Sequence, residues 1–345
     1  MIKRLLLTST GGTVGRLIIE MIRETLPTRA RIIAADAHID VSYMTDLVTP
    51  AKLPEARDPG YNTAIRTLIA KEEIDSVLPM SEEECLVISE MAEREQLHGA
   101  RYIGMSHAAL NVITNKVRCA ETLSRAGLDV PVCLPLSSLD TLERDVAQLG
   151  YPEAPVVLKP IRARGSRGFR IISAETNGLV EMNRKGGEIF IDLNQVREIF
   201  RGQEGALGDY FLMEFLPGGS LSIDLVAWNG GMLGAFPHRR MGYEWGFMDH
   251  AKISRDAAAE AYAREAIKVL GMHGMCNIEL GYRTDGRLSL IEVNGRTSAT
   301  AAQNRLVGAN LFEMLMRAED GHLDPFEFTT SAEYRMLSEY RQLQG

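Results

Sequence analysis

Cys276–Arg296, CNIELGYRTDGRLSLIEVNGR, reads as two strands joined at Asp285-Gly286. A two-residue Asp-Gly connection between apolar runs is a strong hairpin signal. With that pair as the turn, Thr284 faces Arg287, and counting outward sets Glu279 opposite Glu292. Residues directly opposed on an antiparallel pair have Cβ atoms about 4.5–5.5 Å apart, and like charges there repel. Asn294 lies two residues beyond Glu292 and projects from the same face. Two carboxylates and an amide oxygen gathered this way call for a cation. Hard cations take oxygen ligands, and Mg²⁺ commonly shares one or two carboxylates with a nucleotide's phosphates. The competing reading is a solvated acidic edge. Leu288, Leu290, Ile291 and Val293 make the second strand apolar, which favours burial and hence the metal.

With 345 residues, the chain can build two or three packed units. A hydrophobic fraction of 45% is that of a globular protein, and a net charge of −8 provides no global field for nucleic acid. The apolar run Leu5–Leu7 is too short for a signal-peptide core, and no stretch approaches a membrane span. Cys85, Cys119, Cys133 and Cys276 include no CxxC pair. Reduced thiols in a cytoplasmic protein are therefore expected.

From the N-terminus, a strand at residues 4–7, a Gly11–Gly15 loop, a helix from Arg16 and a strand ending in Asp36 read as the start of a Rossmann-like unit. The spacing is GGxxG rather than GxGxxG. It fits a βα turn that needs glycine for close packing better than a dinucleotide site. A further strand, Ile74–Pro79, precedes Ser81-Glu-Glu-Glu84, where Ser81 suits an N-cap and the acids suit the helix dipole. Alternating β and α elements predict a parallel sheet with helices on both faces. The unit is expected to end near residue 110.

Asn115-Lys116 opens the next helix. Val156–Lys159 reads as a buried strand that delivers Lys159 inward, followed by Gly165-Ser166-Arg167-Gly168 and a strand at Phe169–Ile172. Glycines let backbone N–H groups approach phosphate oxygens, and the neighbouring arginines add positive charge. The loop thus fits phosphate binding, against the alternative of a hairpin with a solvated basic tip. Tyr210–Glu214 and Ser222–Trp228 are strands. His238–His250 is an irregular, basic, aromatic stretch where substrate contacts are expected. Ser254 reads as the N-cap of a helix reaching Leu270. In the tail, Tyr334, Leu337, Tyr340 and Leu343 fall on one helical stripe, which fits docking on the body or a homodimer contact.

In order and spacing these pieces resemble the ATP-grasp superfamily: the synthetase unit of the carbamoyl-phosphate synthase large chain, and single-unit carboxylate–amine ligases built like it. The resemblance implies an α/β and α+β chain. A Rossmann-like pre-ATP-grasp domain would occupy residues 1–110, a two-part ATP-grasp domain 111–320 with its lid at about 125–205, and a helical tail 321–345. It implies that Lys116 and Lys159 contact nucleotide phosphates and that Gly165, Ser166, Arg167 and Gly168 close over them. Glu214 and the backbone near Leu216 would form the adenine-side hinge. Glu279, Glu292 and Asn294 would hold two magnesium ions, with Mn²⁺ as a substitute, and Arg296 and Lys159 would stabilise the transferred phosphoryl group. Two departures stand out. Serine occupies position 220, where the family has an acid for the ribose hydroxyls, with Asp224 as a substitute candidate. Asn294-Gly295-Arg296 replaces Asn-Pro-Arg.

The implied activity is ATP-dependent amide or peptide bond formation through an acyl phosphate, with small-molecule carboxylate and amine substrates and with Arg239 or Arg240 on the substrate carboxylate. Neither nucleic acid nor membrane is expected as a partner. A bicarbonate- or carbamate-phosphorylating enzyme, a nicotinamide oxidoreductase using the Gly11–Gly15 loop, and a nucleotide-binding regulator without turnover remain as rivals.

Overall fold

The three Leu residues at 5–7 set the first layer. In a computed structural model, which describes residues 2–12, 14–38, 41–162, 167–175, 189–241, 248 and 250–336, they form the buried centre of β1 (Arg4–Thr8). With β2 (Arg31–Asp36), β3 (Thr49–Lys52), β4 (Ser76–Pro79) and β5 (Arg101–Tyr102) it makes a parallel sheet of order β3-β2-β1-β4-β5. Side chains alternate across a strand. Leu6 therefore packs with Tyr61, Ile65 and Ile88 of the helices on one face. Leu5 and Leu7 pack with Ile18, Ile22 and, from the far end of the chain, Phe312 and Leu315. One core thus joins the first and last parts of the sequence. Gly15 opens the first helix, Gly15–Thr25. A Cβ there would lie 1.8 Å from the Thr10 carbonyl oxygen, so glycine serves packing.

The second sheet contains β6 (Cys133–Pro135), β7 (Val156–Pro160), β8 (Arg170–Ile172), β9 (Phe190–Ile191) and β10 (Tyr210–Glu214), in the order β6-β10-β7-β8-β9. One face packs Leu158, Ile172 and Leu212 onto the helices Leu142–Gln148 and Leu193–Phe200. The other face presents Val157, Phe211 and Met213. Lys159, opposite Phe211 in the register, shares that second face.

The third sheet is antiparallel: β11 (Ser220–Trp228), β12 (Gly231–Arg240), β13 (His250–Ile253), β14 (Gly274–Tyr282), β15 (Leu288–Asn294) and β16 (Ala332–Arg335), in the order β15-β14-β11-β12-β13-β16. Leu221, Ile223, Ile278 and Leu280 pack under the helix Ala257–Leu270. The residues between them, Ser222, Asp224, Asn277 and Glu279, face the opposite way.

The hairpin differs from the expected one in two ways that cancel. Its loop holds three residues, Thr284–Gly286: Arg283 N–H donates to Arg287 O at 2.8 Å, and Gly286 has φ 83°. A bulge at Ile291 then shifts β15 by one residue, so Leu280 pairs with Leu290 but Glu279 still pairs with Glu292.

Two further expectations are corrected. Asp256, not Ser254, caps the helix Ala257–Leu270, accepting from Ala259 N at 3.1 Å, because the chain stays extended through residue 256. Residues 332–335 form a strand on β13 rather than a helix, and an open sheet edge outweighs the helical stripe. Leu337, Tyr340 and Leu343 lie outside the described residues. No helix among the described residues is long and apolar enough to cross a membrane.

Candidate active site

Glu279 and Glu292 face each other on β14 and β15, near the rim of the third sheet where it meets the second. Burial, reinforced by Glu292, pushes the Glu279 carboxyl up to about 7. Glu292 goes the other way. Burial would raise it too, but Lys116, Lys159 and Arg296 together hold it below the usual carboxylate range. Lys116 Nζ lies 3.5 Å from Glu292 Oε2. Asn294 donates to Glu292 Oε1 at 3.4 Å and to Asn277 Oδ1 at 3.3 Å, and its own Oδ1 accepts from Arg296 at 3.2 Å.

Four cationic side chains surround these groups. Asn115 caps the helix Lys116–Arg125 through Arg118 N at 3.0 Å, fixing Lys116 at its start. Lys159 is 6% exposed, its ammonium 4.0 Å from Met213 Sδ and 5.7 Å from the Phe169 ring centre. Burial pushes its pKa down, and Glu292 opposes that shift. Arg296 and Arg240 both act electrostatically on Glu279. Between the two sheets, Phe211, Met213, Leu290 and Ile291 line an apolar slot that ends at Lys116 and Glu292. Leu216 closes on Gly281, where a Cβ would meet Leu216 Cδ1 at 2.7 Å. Two carboxylates, an amide and clustered cations suit a metal-bound polyphosphate.

The first sheet adds a residue that sequence reasoning assigned to capping. Glu82 follows β4, and burial pushes its carboxyl up to about 7 against the pull of Arg296 and Lys116. Its position at the carboxyl end of β4, next to the β1/β4 switch point, was the available signal, since open α/β sheets bind ligands there. Glu84, by contrast, is structural: Thr8, Ser9, Tyr61 and Ser81 all donate to it. Asp36 accepts from Gly11 N at 2.9 Å and so closes the glycine loop.

Other expected site residues fall elsewhere. Strand alternation separates Arg239 from Arg240: Arg239 turns to the far face, donating to Tyr282 Oη at 2.7 Å and sitting 3.7 Å from Asp256. Glu214 is bound by Arg283 at 2.5 Å and by Val132 N at 3.2 Å, so its carboxylate ties strands together. Arg283 also donates to Asp129 Oδ1 at 2.8 Å and to Val130 O at 3.0 Å. Asp224 is wholly buried and cannot reach a ribose. Gly165 and Ser166 lie outside the described residues. Arg167 is exposed in a turn, and Gly168 has φ 74°, a conformation that favours glycine.

A parallel sheet is joined to two further sheets that meet across a charged crevice, an arrangement the chain shares with solved structures. Residues 207–340 match a family model described as ATP-grasp in the biosynthetic pathway with Ter operon. The carbamoyl phosphate synthase large chain of Methanospirillum hungatei is 24% identical over 251 residues, 69% of this chain and 22% of the relative. The chain thus spans about a fifth of that relative's length. Among solved structures, biotin carboxylase from Campylobacter jejuni, a β-γ-ATP complex, aligns with a TM-score of 0.70 and 17% identity, covering 96% of this chain and 74% of that one. An L-amino acid ligase from Bacillus licheniformis aligns at 0.66 and 16%, covering 94% and 77%.

Proposed function

We propose that this protein is an ATP-dependent carboxylate–amine ligase that forms an amide or peptide bond through an acyl phosphate and releases ADP and phosphate. The observation that carries the reading is the opposed Glu279–Glu292 pair with Lys116, Lys159, Arg296 and Asn294 around it. A carboxylate is a poor acyl donor, and converting it to an acyl phosphate lets an amine attack. Glu279, Glu292 and Asn294 would hold magnesium, which neutralises phosphate charge and orients the leaving group. Lys116 and Lys159 balance the remaining phosphate charge. Arg296 stabilises the phosphoryl group in flight, in a site dry enough to strengthen that interaction. Arg240 meets the substrate carboxylate. Its four cysteines are free, in keeping with a cytoplasmic enzyme.

Incubation with ATP, magnesium and pairs of amino acids, followed by separate measurement of ADP, AMP, phosphate and pyrophosphate, tests this. Product-dependent ADP and phosphate, lost in Glu292→Gln, is the expected result; AMP and pyrophosphate would rule out the acyl phosphate. The likeness to a carbamoyl phosphate synthase large chain supports a second reading, in which bicarbonate or carbamate is the acid. Turnover of labelled bicarbonate without an amino acid would favour it.

A further inference from the structure

A single buried carboxylate holds the segment that carries the chain away from Arg296. Asp224 sits on β11 opposite Asn277 on β14. Its Oδ1 accepts from Ser298 Oγ at 2.5 Å and Asn277 Nδ2 at 3.0 Å, and its Oδ2 from Thr300 Oγ1 at 2.9 Å and Asn304 Nδ2 at 3.0 Å. His238 Nε2 lies 3.2 Å from the same Oδ2 and 3.0 Å from Asn304 Oδ1, while its Nδ1 is 3.0 Å from the Tyr334 hydroxyl. Nε2 faces two oxygen acceptors, Asp224 Oδ2 and Asn304 Oδ1, so it carries a proton and donates to them. A desolvated carboxylate is tolerated only when its lone pairs are filled. Here the fillers come from β12, β14 and the segment after Arg296.

The connection to Arg296 runs both ways round the ring. The guanidinium has two described anchors, Asn294 Oδ1 at 3.2 Å and Thr297 O at 3.1 Å. Asn294 is held by Asn277, whose amide donates to Asp224. Thr297 is fixed by its neighbour Ser298, which donates to Asp224 as well. Between the anchors stands Gly295, which supplies no backbone stiffness. A Cβ there would lie 2.6 Å from Leu110 Cδ2, so the Leu110 side chain occupies the space a proline ring would need.

We propose that Asp224 is a positioning residue, which aims Arg296 and Asn294 by tethering both sides of Gly295 and so does the work of a rigid residue at that position. The proposal rests on the reading of Arg296 as the group facing the transferred phosphoryl. The test uses ¹⁵N-labelled full-length protein and the heteronuclear NOE of the Arg296 Nε–H resonance, assigned by its loss in Arg296→Lys. Asp224→Asn is the direct variant. Ser298→Ala combined with Thr300→Val is the milder one, leaving Asp224 bound to Asn277, Asn304 and His238, and it decides the matter if the first does not fold. In either variant the Arg296 NOE should fall to that of a mobile side chain, with the Arg283 signal unchanged. Turnover should drop about 10–100-fold in kcat with the KM for ATP steady, whereas a comparably destabilising Ile33→Val should alter neither. A wild-type NOE for Arg296 in the folded double variant, or kcat and KM moving together with stability, would overturn the proposal. Absence of ADP release by the wild type under every substrate pair would refute the ligase reading and leave the NOE result to judge Asp224 by itself.

Discussion

Replacing Glu279 by glutamine should make the metal-free protein more stable in mildly alkaline buffer while abolishing its response to magnesium nucleotide. The glutamate carboxyl is raised from its ordinary 4.5 to about 7, first by burial and then by Glu292. Each pKa unit is worth about 1.4 kcal/mol, so the ceiling on the strain is about 3 kcal/mol. The amide that replaces it must still be buried, which leaves an expected gain of about 2 kcal/mol. The sign follows from proton counting. Between its unfolded and folded pKa values the native state holds more protons than the unfolded chain, so wild-type stability falls as pH rises through that window. Urea unfolding with chelator at about pH 5 and about pH 8 should give coincident midpoints for wild type and Glu279→Gln at the lower pH, and a higher midpoint for the variant at the upper one. Adding magnesium and ADP should then reverse the order, since a ligand at a hundred times its Kd adds about 2.7 kcal/mol to a protein that binds it. A variant no more stable than wild type at about pH 8, or one that still gains from magnesium, would show that the two carboxylates do not share a cation.

Lys159→Met should fold at least as well as wild type, because an apolar chain replaces a buried ammonium, yet lose about a hundredfold or more in ADP release; paired urea and turnover measurements check both halves. Arg240→Ala should raise the KM for the carboxylate substrate about tenfold or more, while Arg239→Ala should leave it within about threefold and show only a small loss in melting temperature. Gly15→Ala should be destabilised by several kcal/mol, about 3 or more, and accumulate as aggregate on expression, because its Cβ would meet the Thr10 carbonyl oxygen at 1.8 Å.

Much of the layer order was legible because periodicity is local. Leu5–Leu7, Val156–Lys159 and the β14–β15 pair announce buried strands without knowledge of their neighbours. The Glu279–Glu292 pairing was legible for a partly wrong reason: the loop is one residue longer than an Asp-Gly turn, and a bulge at Ile291 absorbs the difference. Neither bulge nor loop length is written in a single residue's preference. Side-chain destinations set by distant packing were beyond reach. In sequence Glu82 reads as an acid suited to the helix dipole, Arg239 as a candidate substrate contact and Asp224 as a candidate for the ribose. Their roles depend on residues such as Arg296, Tyr282 and Asn304, which lie far along the chain. The edge strand at 332–335 was hidden likewise, since its partner β13 lies some eighty positions upstream.

Arg283 joins Asp129, just before the second sheet begins, to Glu214, where that sheet ends, and it does so from the hairpin of the third. Entry and exit of the smaller sheet are thereby fastened to one post. The Arg283, Asp129 and Glu214 side chains are only 16%, 23% and 30% exposed, so salt screens this post far less than it screens surface pairs, and the two ends of the sheet should stay fastened as ionic strength rises.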